Sequence, residues 1–401
     1  MTEIPLEAAL LGLCLAMGVS IAATNICLAA VTAAALWLAF STRRLPWENL
    51  RTPAIFALGL YCLASVASSL GGVDPANSLS TFNKDLHKLW VLCLLLLAFA
   101  KRPSHRLLAA LGAAFAFMAA VGLWQAATLP PQAGAYVFRA HGFVHPVTYG
   151  ELMALAFLGG LCFLGRAEAG ADSARNRRLT AAFLILAGAA LCVNQTRGAA
   201  LGLITGLVAI SLFDSHFRRW LPWAAAAATA GLAAFDWLSS GRSLIAALRL
   251  AHAAPAASQG ASAFTRLSLW RVAWEAFRDH PLLGVGPNNY RIVFSHYFQG
   301  KMEGQLIWAS AHNLYLQQLA ERGILGFAAL AAVLGALAFR AFRRARENPN
   351  AWNLWAWGAV AAFLVMNLTE TAFQNEQTAT FFLFIWAWSQ ANAQVPAAKT
   401  P

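Results

Sequence analysis

His312 stands in SAHNLYLQQLAERGILG (residues 310–326), where a helical apolar pattern begins and runs on into a stretch apolar enough to cross a membrane. Histidine is the side chain best suited to take a proton from a hydroxyl near neutral pH. Ser310 is the predicted N-cap, which puts His312 in the first helical turn. That end of a helix carries partial positive charge and neighbouring arginines add to it, so the surroundings favour a neutral, proton-accepting ring. Asn313, Tyr315 and Gln317 offer polar partners. The plainer reading is an interfacial histidine that caps a helix or packs against tryptophan, and spacing alone favours it.

Three arginines could serve the same chemistry. Arg139 lies in VFRAHGFVHP, Arg197 in VNQTRGAA, and Arg266 opens a helical pattern late in the chain. A guanidinium grips phosphate oxygens in pairs and keeps its charge throughout, so it can hold a pyrophosphate while negative charge grows on a departing oxygen. For any one of them, contact with lipid headgroups or a helix C-terminus is the plainer reading. Gly198, next to Arg197, allows close backbone approach or simply tight helix packing.

The remaining polar residues offer less. His141 and His145 flank Arg139, but no third ligand stands near them in sequence and no HExxH pattern occurs, so no metal site is expected. The carboxylates Asp74, Asp85, Glu275, Asp279, Glu303, Glu321, Glu370 and Glu376 form no DxD-type pair for a diphosphate-bound Mg²⁺. Glu321 and Arg322 are neighbours in sequence and so are not expected to share a helix face. Glu151, near the start of an apolar stretch, is a functional candidate if it lies within the membrane. The six cysteines fall in or at apolar runs without CxxC spacing, which indicates neither a disulfide framework nor zinc.

The elements that must position these groups are membrane spans. Of 401 residues, 59% are hydrophobic and 11% charged, against about 25% charged in soluble domains. The net charge of +12 sits in short clusters between apolar runs, the pattern of membrane topology rather than of nucleic-acid binding. Twelve apolar stretches are predicted as spans, at about 5–22, 24–40, 52–70, 86–100, 107–127, 147–165, 179–194, 199–213, 221–238, 323–340, 352–369 and 378–393. The basic clusters follow spans 2, 4, 6, 8 and 10, which puts those loops and both termini in the cytoplasm. The first stretch lacks a cationic start and reads as a span rather than a signal peptide.

The fold class expected is therefore an all-α polytopic membrane protein with one long helical periplasmic loop between spans 9 and 10. It divides into 1–238 (nine spans), 239–310 (the loop) and 311–401 (three spans and a tail). Within the loop, TRLSLWRVAWEAFRDH (265–280) sets Leu267, Trp270, Trp274 and Phe277 at helical spacing, suited to a membrane interface. Pro281 stops that helix, and AAPAASQGASA (253–263) reads as a flexible strip.

At FRAHGFVHP (138–146), NQTRGA (194–199), RLSLW (266–270), HPLLGVGPNNY (280–290) and AHNLYLQQLAERGILG (311–326), the chain resembles the O-antigen ligase and polymerase superfamily of bacterial envelope glycan enzymes. The segments come in the family's order, with the long loop in its usual place. The resemblance implies an inner-membrane glycosyltransferase that takes O-antigen glycan from undecaprenyl pyrophosphate on the periplasmic side. In the ligases the acceptor is a sugar hydroxyl of lipid A–core oligosaccharide, and the reaction is inverting and metal-independent, with no cofactor. The family's essential loop histidine matches His312 and its arginines match Arg197 and Arg266, while Arg139 sits in a family-like first motif. An O-antigen polymerase and a protein O-oligosaccharyltransferase share these motifs. A lipid-linked sugar transporter is the alternative from another class. It predicts ionisable residues along the middle of several spans, where this sequence is mostly clean.

Overall fold

The computed structural model describes residues 4–43, 46–99, 105–130, 138–165, 171–215, 217–219, 260–300 and 305–391. Span 9 (221–238), Arg242, Arg249, Glu303 and the 253–259 part of the expected flexible strip lie outside them. The described chain is built of helices: α1 (Ile4–Ala16), α2 (Ile21–Thr42), α3 (Pro53–Leu70), α4 (Pro75–Ser80), α5 (Asn83–Ala98), α6 (His105–Thr128), α7 (Pro146–Leu164), α8 (Ala171–Asn194), α9 (Arg197–Ser211), α10 (Gly260–Asp279), α11 (Tyr290–Tyr297), α12 (Leu314–Glu347), α13 (Ala351–Met366) and α14 (Glu376–Ala391). Helices α2, α3, α6, α7, α8 and α12 are long and apolar enough to cross a membrane. Each expected span within the described residues overlaps a helix, but α1, α5, α9, α13 and α14 are not among those long and apolar enough to cross.

Local sequence sets the helix starts. Thr52 caps α3 ahead of Pro53, Ser20 caps α2 and Asn350 caps α13, each accepting a hydrogen bond from a backbone N–H of the first turn. His145 caps α7 through Nδ1, which accepts from Val147 N at 3.3 Å ahead of Pro146.

Burial sorts the helices. α14 is buried from Gln377 to Ala391, so it runs inside the bundle, as a helix apolar all round does. Its aromatics interleave with their neighbours: Phe382 stacks on Phe363 with centroids 4.0 Å apart, Phe381 on Phe115 at 4.7 Å, and Trp388 meets Trp352 at 4.6 Å. In lipid, such packing rather than water exclusion holds helices together. By contrast α2 and α8 are mostly exposed along their apolar stretches, the surface offered to lipid.

The long α12 breaks at Gly323, whose φ of +60° and ψ of −164° no helix contains. The break costs two ladder bonds, and the 281–286 turn replaces them. Ile324 N donates to Pro281 O at 2.8 Å and Leu325 N to Leu282 O at 3.4 Å, while the freed carbonyls of Ala320 and Glu321 accept from Val285 N and Gly286 N, both at 2.9 Å. A Cβ on Gly323 would collide with the Leu282 backbone, and one on Gly284 with the Glu321 backbone, so both crossing residues must be glycine. From Gly323 to Glu347 the helix spans about 37 Å at 1.5 Å per residue, enough for a hydrocarbon core of about 30 Å.

The kink also overturns the expectation for Glu321 and Arg322. Both are buried, and Arg322 Nη1 lies 3.5 Å from Glu321 Oε2, because the helix ends there and the two side chains are free to converge. Arg322 also donates to Ser65 Oγ at 2.8 Å and to Asp85 Oδ2 at 2.7 Å, and Lys88 lies 3.4 Å from Asp85 Oδ1. Four opposed charges thus join α5 and α12 where the turn docks, and the Ser65 hydroxyl ties α3 to them. The spans are less clean than the sequence suggested, but these charges are paired.

A second, smaller core joins α10, α11 and the start of α12 through Leu269, Val272, Ala273, Ala276, Val285, Tyr290, Phe294, Ala311 and Ala320. It uses a different face of α10 from the tryptophan stripe: Leu267 and Trp274 are exposed, and Trp270 and Phe277 half-buried. Gly260–Ala263, expected within a flexible strip, belong to α10.

Candidate active site

The N-cap of α12 is Asn313, not Ser310. Asn313 Oδ1 accepts from Tyr315 N at 3.0 Å and Leu316 N at 3.1 Å. His312 therefore precedes the helix rather than lying in its first turn, and its backbone is left-handed at φ +46°. That conformation costs a non-glycine residue about 1–2 kcal/mol and is held by its flanks. Ser310 Oγ accepts from His312 N at 3.1 Å, and Gln317 Oε1 reaches back to Ala311 N at 2.6 Å. Leu314 N, which has no partner in its own helix, donates to Asn367 O and Glu370 O in the turn between α13 and α14. That pairing carries the turn to the histidine.

The imidazole consequently meets a carboxylate. His312 Nδ1 lies 2.9 Å from Glu370 Oε2, and Arg266 Nη2 lies 3.0 Å from Glu370 Oε1. Glu370 is 12% exposed, His312 35% and Arg266 33%, so the carboxylate is enclosed while both its partners reach open space. A carboxylate only accepts, so Nδ1 carries a ring proton, and in the neutral ring Nε2 is the nitrogen with the lone pair. Among the described residues nothing bonds to Nε2. Asn313, Tyr315 and Gln317, the expected partners, bond elsewhere: Asn313 caps the helix, Tyr315 donates to Leu364 O and Gln317 accepts from Ala311 N. Trp308 meets the ring edge-on at 5.9 Å, so the tryptophan contact of the plainer reading is present as well. The Trp308 indole N–H is buried without a partner among the described residues.

Arg139 reaches the same site from the segment before α7. Its Nε donates to Asn194 O at 2.9 Å and its Nη2 to Thr196 Oγ1 at 2.8 Å, fixing it to the turn between α8 and α9. Asn194, fully buried, clamps that turn by donating to Ala140 O and Pro146 O. Burial and the nearby Arg266 push the Arg139 guanidinium below its ordinary value, and Glu370 opposes them. His145 is held below the usual histidine range by burial first and then by Arg139, with Glu370 again opposing.

Arg197 is the first residue of α9 and exposed, with no hydrogen bond or ion pair among the described residues. The next residue, Gly198, packs so tightly on Thr369 that a Cβ there would strike its hydroxyl. Arg197 therefore starts its helix beside the turn that carries Glu370.

Of the four residues picked from sequence, His312 and Arg266 are joined through Glu370, Arg139 senses both Arg266 and Glu370, and Arg197 borders the same turn without touching them. The carboxylate that organises the group, Glu370, stands in the sequence among carboxylates that form no DxD-type pair, with nothing there to link it to His312. It lies 58 residues beyond His312, and its one signal was an acidic residue in a short polar turn between two apolar stretches. No group of three or more histidine, cysteine, aspartate or glutamate side chains among the described residues is arranged to hold a metal ion. Chemically, the site offers a half-exposed imidazole hydrogen-bonded to a carboxylate, with arginines around it.

The family model described as O-antigen ligase matches residues 182–331. The match includes Arg197, Arg266 and His312, while Arg139 and Glu370 fall outside it. No curated protein matches the sequence.

Proposed function

From a chain whose residues 182–331 are an O-antigen ligase family domain on a multi-pass helical scaffold, we propose a glycosyltransferase that moves O-antigen glycan from undecaprenyl pyrophosphate to a sugar hydroxyl of lipid A–core oligosaccharide. The carrying observation is the His312–Glu370–Arg266 chain, with Nε2 of His312 unbonded among the described residues. His312 Nε2 takes the proton of the acceptor hydroxyl, and Glu370 stabilises the imidazolium that forms. The acceptor oxygen bonds to the anomeric carbon as the bond from that carbon to the pyrophosphate oxygen breaks. The electron pair leaves with the undecaprenyl pyrophosphate, and a single displacement inverts the anomeric centre. Arg139, Arg197 and Arg266 hold the pyrophosphate and offset the growing charge. The transfer is proposed to be metal-independent, with the arginines supplying the positive charge for the diphosphate.

The proposed site faces the periplasm of the inner membrane and both termini are cytoplasmic. In support, Arg340, Arg343, Arg344 and Arg346 cluster at the end of α12 opposite His312, as the excess of cytoplasmic Lys and Arg requires. The division into nine spans, a loop (239–310) and three spans with a tail is proposed with it. The buried charges of α5 and α12 pair with one another, whereas a transport path leaves them open to solvent.

The test is transfer by the purified full-length protein in liposomes containing both lipid substrates, with and without EDTA. Glycan-extended lipid A–core in both conditions supports the reading. Elongated donor with unmodified lipid A–core would identify a polymerase instead, and movement of donor between compartments without product a transporter.

A further inference from the structure

A cavity of about 560 Å³ opens next to the site, within the roughly 300–1,000 Å³ of small-molecule sites. Three elements wall it: the α1–α2 turn (Val19–Ala22), the segment entering α7 (Phe143, Val144, His145, Thr148) and the start of α14 (Asn375, Gln377). Among the described residues the lining contains no charged side chain, although Arg139, His312 and Glu370 are near enough to act on His145 electrostatically. The anion-holding arginines and this neutral chamber are thus adjacent but chemically separate.

Its polar groups are set as donors and acceptors with capacity to spare. Gln377 is 3% exposed, and among the described residues the one hydrogen bond of its side chain is a long one, Nε2 to Met17 O at 3.5 Å. Its carboxamide thus stands on the cavity wall with capacity to bond a ligand. Thr148 accepts from Asn375 Nδ2 at 2.8 Å, and its own hydroxyl proton has no acceptor among the described residues. His145 accepts at Nδ1 from Val147 N, which puts its ring proton on Nε2 as a donor. Phe143, 52% exposed, lies nearly parallel to Phe117 with centroids 5.9 Å apart. It offers an aromatic face beside these groups.

A neutral carboxamide, a hydroxyl, a neutral imidazole and an aromatic face together suit an uncharged polyol ring with one apolar C–H face. They do not suit a phosphate, which meets no cation among the described lining residues, or a lipid chain, which offers the Gln377 carboxamide no hydrogen bond. We propose that this cavity binds the sugar of the acceptor whose hydroxyl gives its proton to His312. The inference rests on the glycosyl-transfer reading above and deepens it by naming where the acceptor sits.

The test compares Gln377→Leu, which removes the carboxamide at nearly constant volume, with Phe143→Ala, an exposed position where truncation leaves the core intact. Transfer is measured in liposomes with lipid A–core and undecaprenyl-pyrophosphate-linked glycan. Binding of delipidated core oligosaccharide to the full-length protein is measured beside it. Loss of one hydrogen bond should raise acceptor KM and oligosaccharide Kd roughly tenfold in Gln377→Leu, with kcat and donor KM within about threefold of wild type. Phe143→Ala should shift the same two constants in the same direction. A rise in donor KM instead, or unchanged acceptor KM and Kd in both variants, overturns the assignment. If wild type transfers nothing to lipid A–core, the glycosyl-transfer reading fails by itself. The binding arm then decides the cavity: weaker binding in Gln377→Leu supports a sugar site, and equal or absent binding overturns it.

Discussion

Glu370→Gln keeps the size of the side chain and removes its charge, and the geometry gives two consequences. With Nδ1 2.9 Å from Oε2, the carboxylate fixes the ring proton on Nδ1. A carboxamide can turn its NH2 to Nδ1, which moves the ring proton to Nε2 and closes the base. The imidazolium formed during transfer also loses its counter-charge. Unit charges about 4 Å apart attract by about 4 kcal/mol at an effective dielectric of about 20. The ring is 35% exposed and Arg266 shares the carboxylate, so solvent and the guanidinium reduce this to roughly 1–3 kcal/mol. That is about 10–10²-fold in kcat, before any loss from the inverted tautomer, which in Ser-His-Asp enzymes brings the total to about 10⁴. Glu370→Gln should therefore lower kcat by about 10²–10⁴, measured by single-turnover transfer in liposomes, with acceptor KM changed by less than about threefold. Glu370→Asp, which keeps the charge but withdraws it, should fall between. Wild-type turnover by a Glu370→Gln protein that accumulates normally would refute the idea that the carboxylate orients and supports the base.

Three further outcomes follow from the scaffold. Gly323→Ala forces a Cβ into the Leu282 backbone at φ +60°, so it should lower the thermal midpoint steeply or abolish accumulation of folded protein; a midpoint near wild type would contradict the docked kink. Arg322→Met leaves Asp85 and Glu321 buried with only Lys88 to balance them, and breaking such a network costs about 3–5 kcal/mol; adding Asp85→Asn should recover part of that in a denaturation assay, and strict additivity would argue against the pairing. His145 is lowered in the folded protein, so below the unfolded value of about 6.5 the unfolded chain binds more protons and stability falls as pH falls, levelling off beneath the folded value. His145→Gln should flatten that acid limb in thermal unfolding between about pH 5 and 8.

Much of this scaffold was legible because lipid imposes a simple rule: backbone polar groups must be satisfied within a helix, so apolar length reads directly as a span. The Thr52–Pro53 cap has the ordinary signature of a polar residue ahead of a proline, whereas the cap expected at Ser310 lies at Asn313. At His312 two polar residues competed, and Asn313 won because its short side chain reaches two N–H groups at once. The kink was hidden because Gly323 sits inside an apolar helical pattern, and only the docked 281–286 turn makes a break affordable. Glu321 and Arg322 could not be paired on helix spacing for the same reason. The site was half legible: His312 and Arg266 carry chemistry by residue type, but the link between them is a residue in another turn, brought over by Leu314 N bonding to the Asn367 and Glu370 carbonyls. No local pattern encodes that contact.

The proposed role of His312 is tested most directly by His312→Asn, because asparagine tolerates the left-handed backbone that His312 adopts and so separates loss of the base from loss of the fold. Transfer of glycan to lipid A–core by purified protein in liposomes should fall by about 10²–10⁴ if the imidazole is the general base, with thermal stability and donor binding kept. A variant that transfers glycan at the wild-type rate would contradict it.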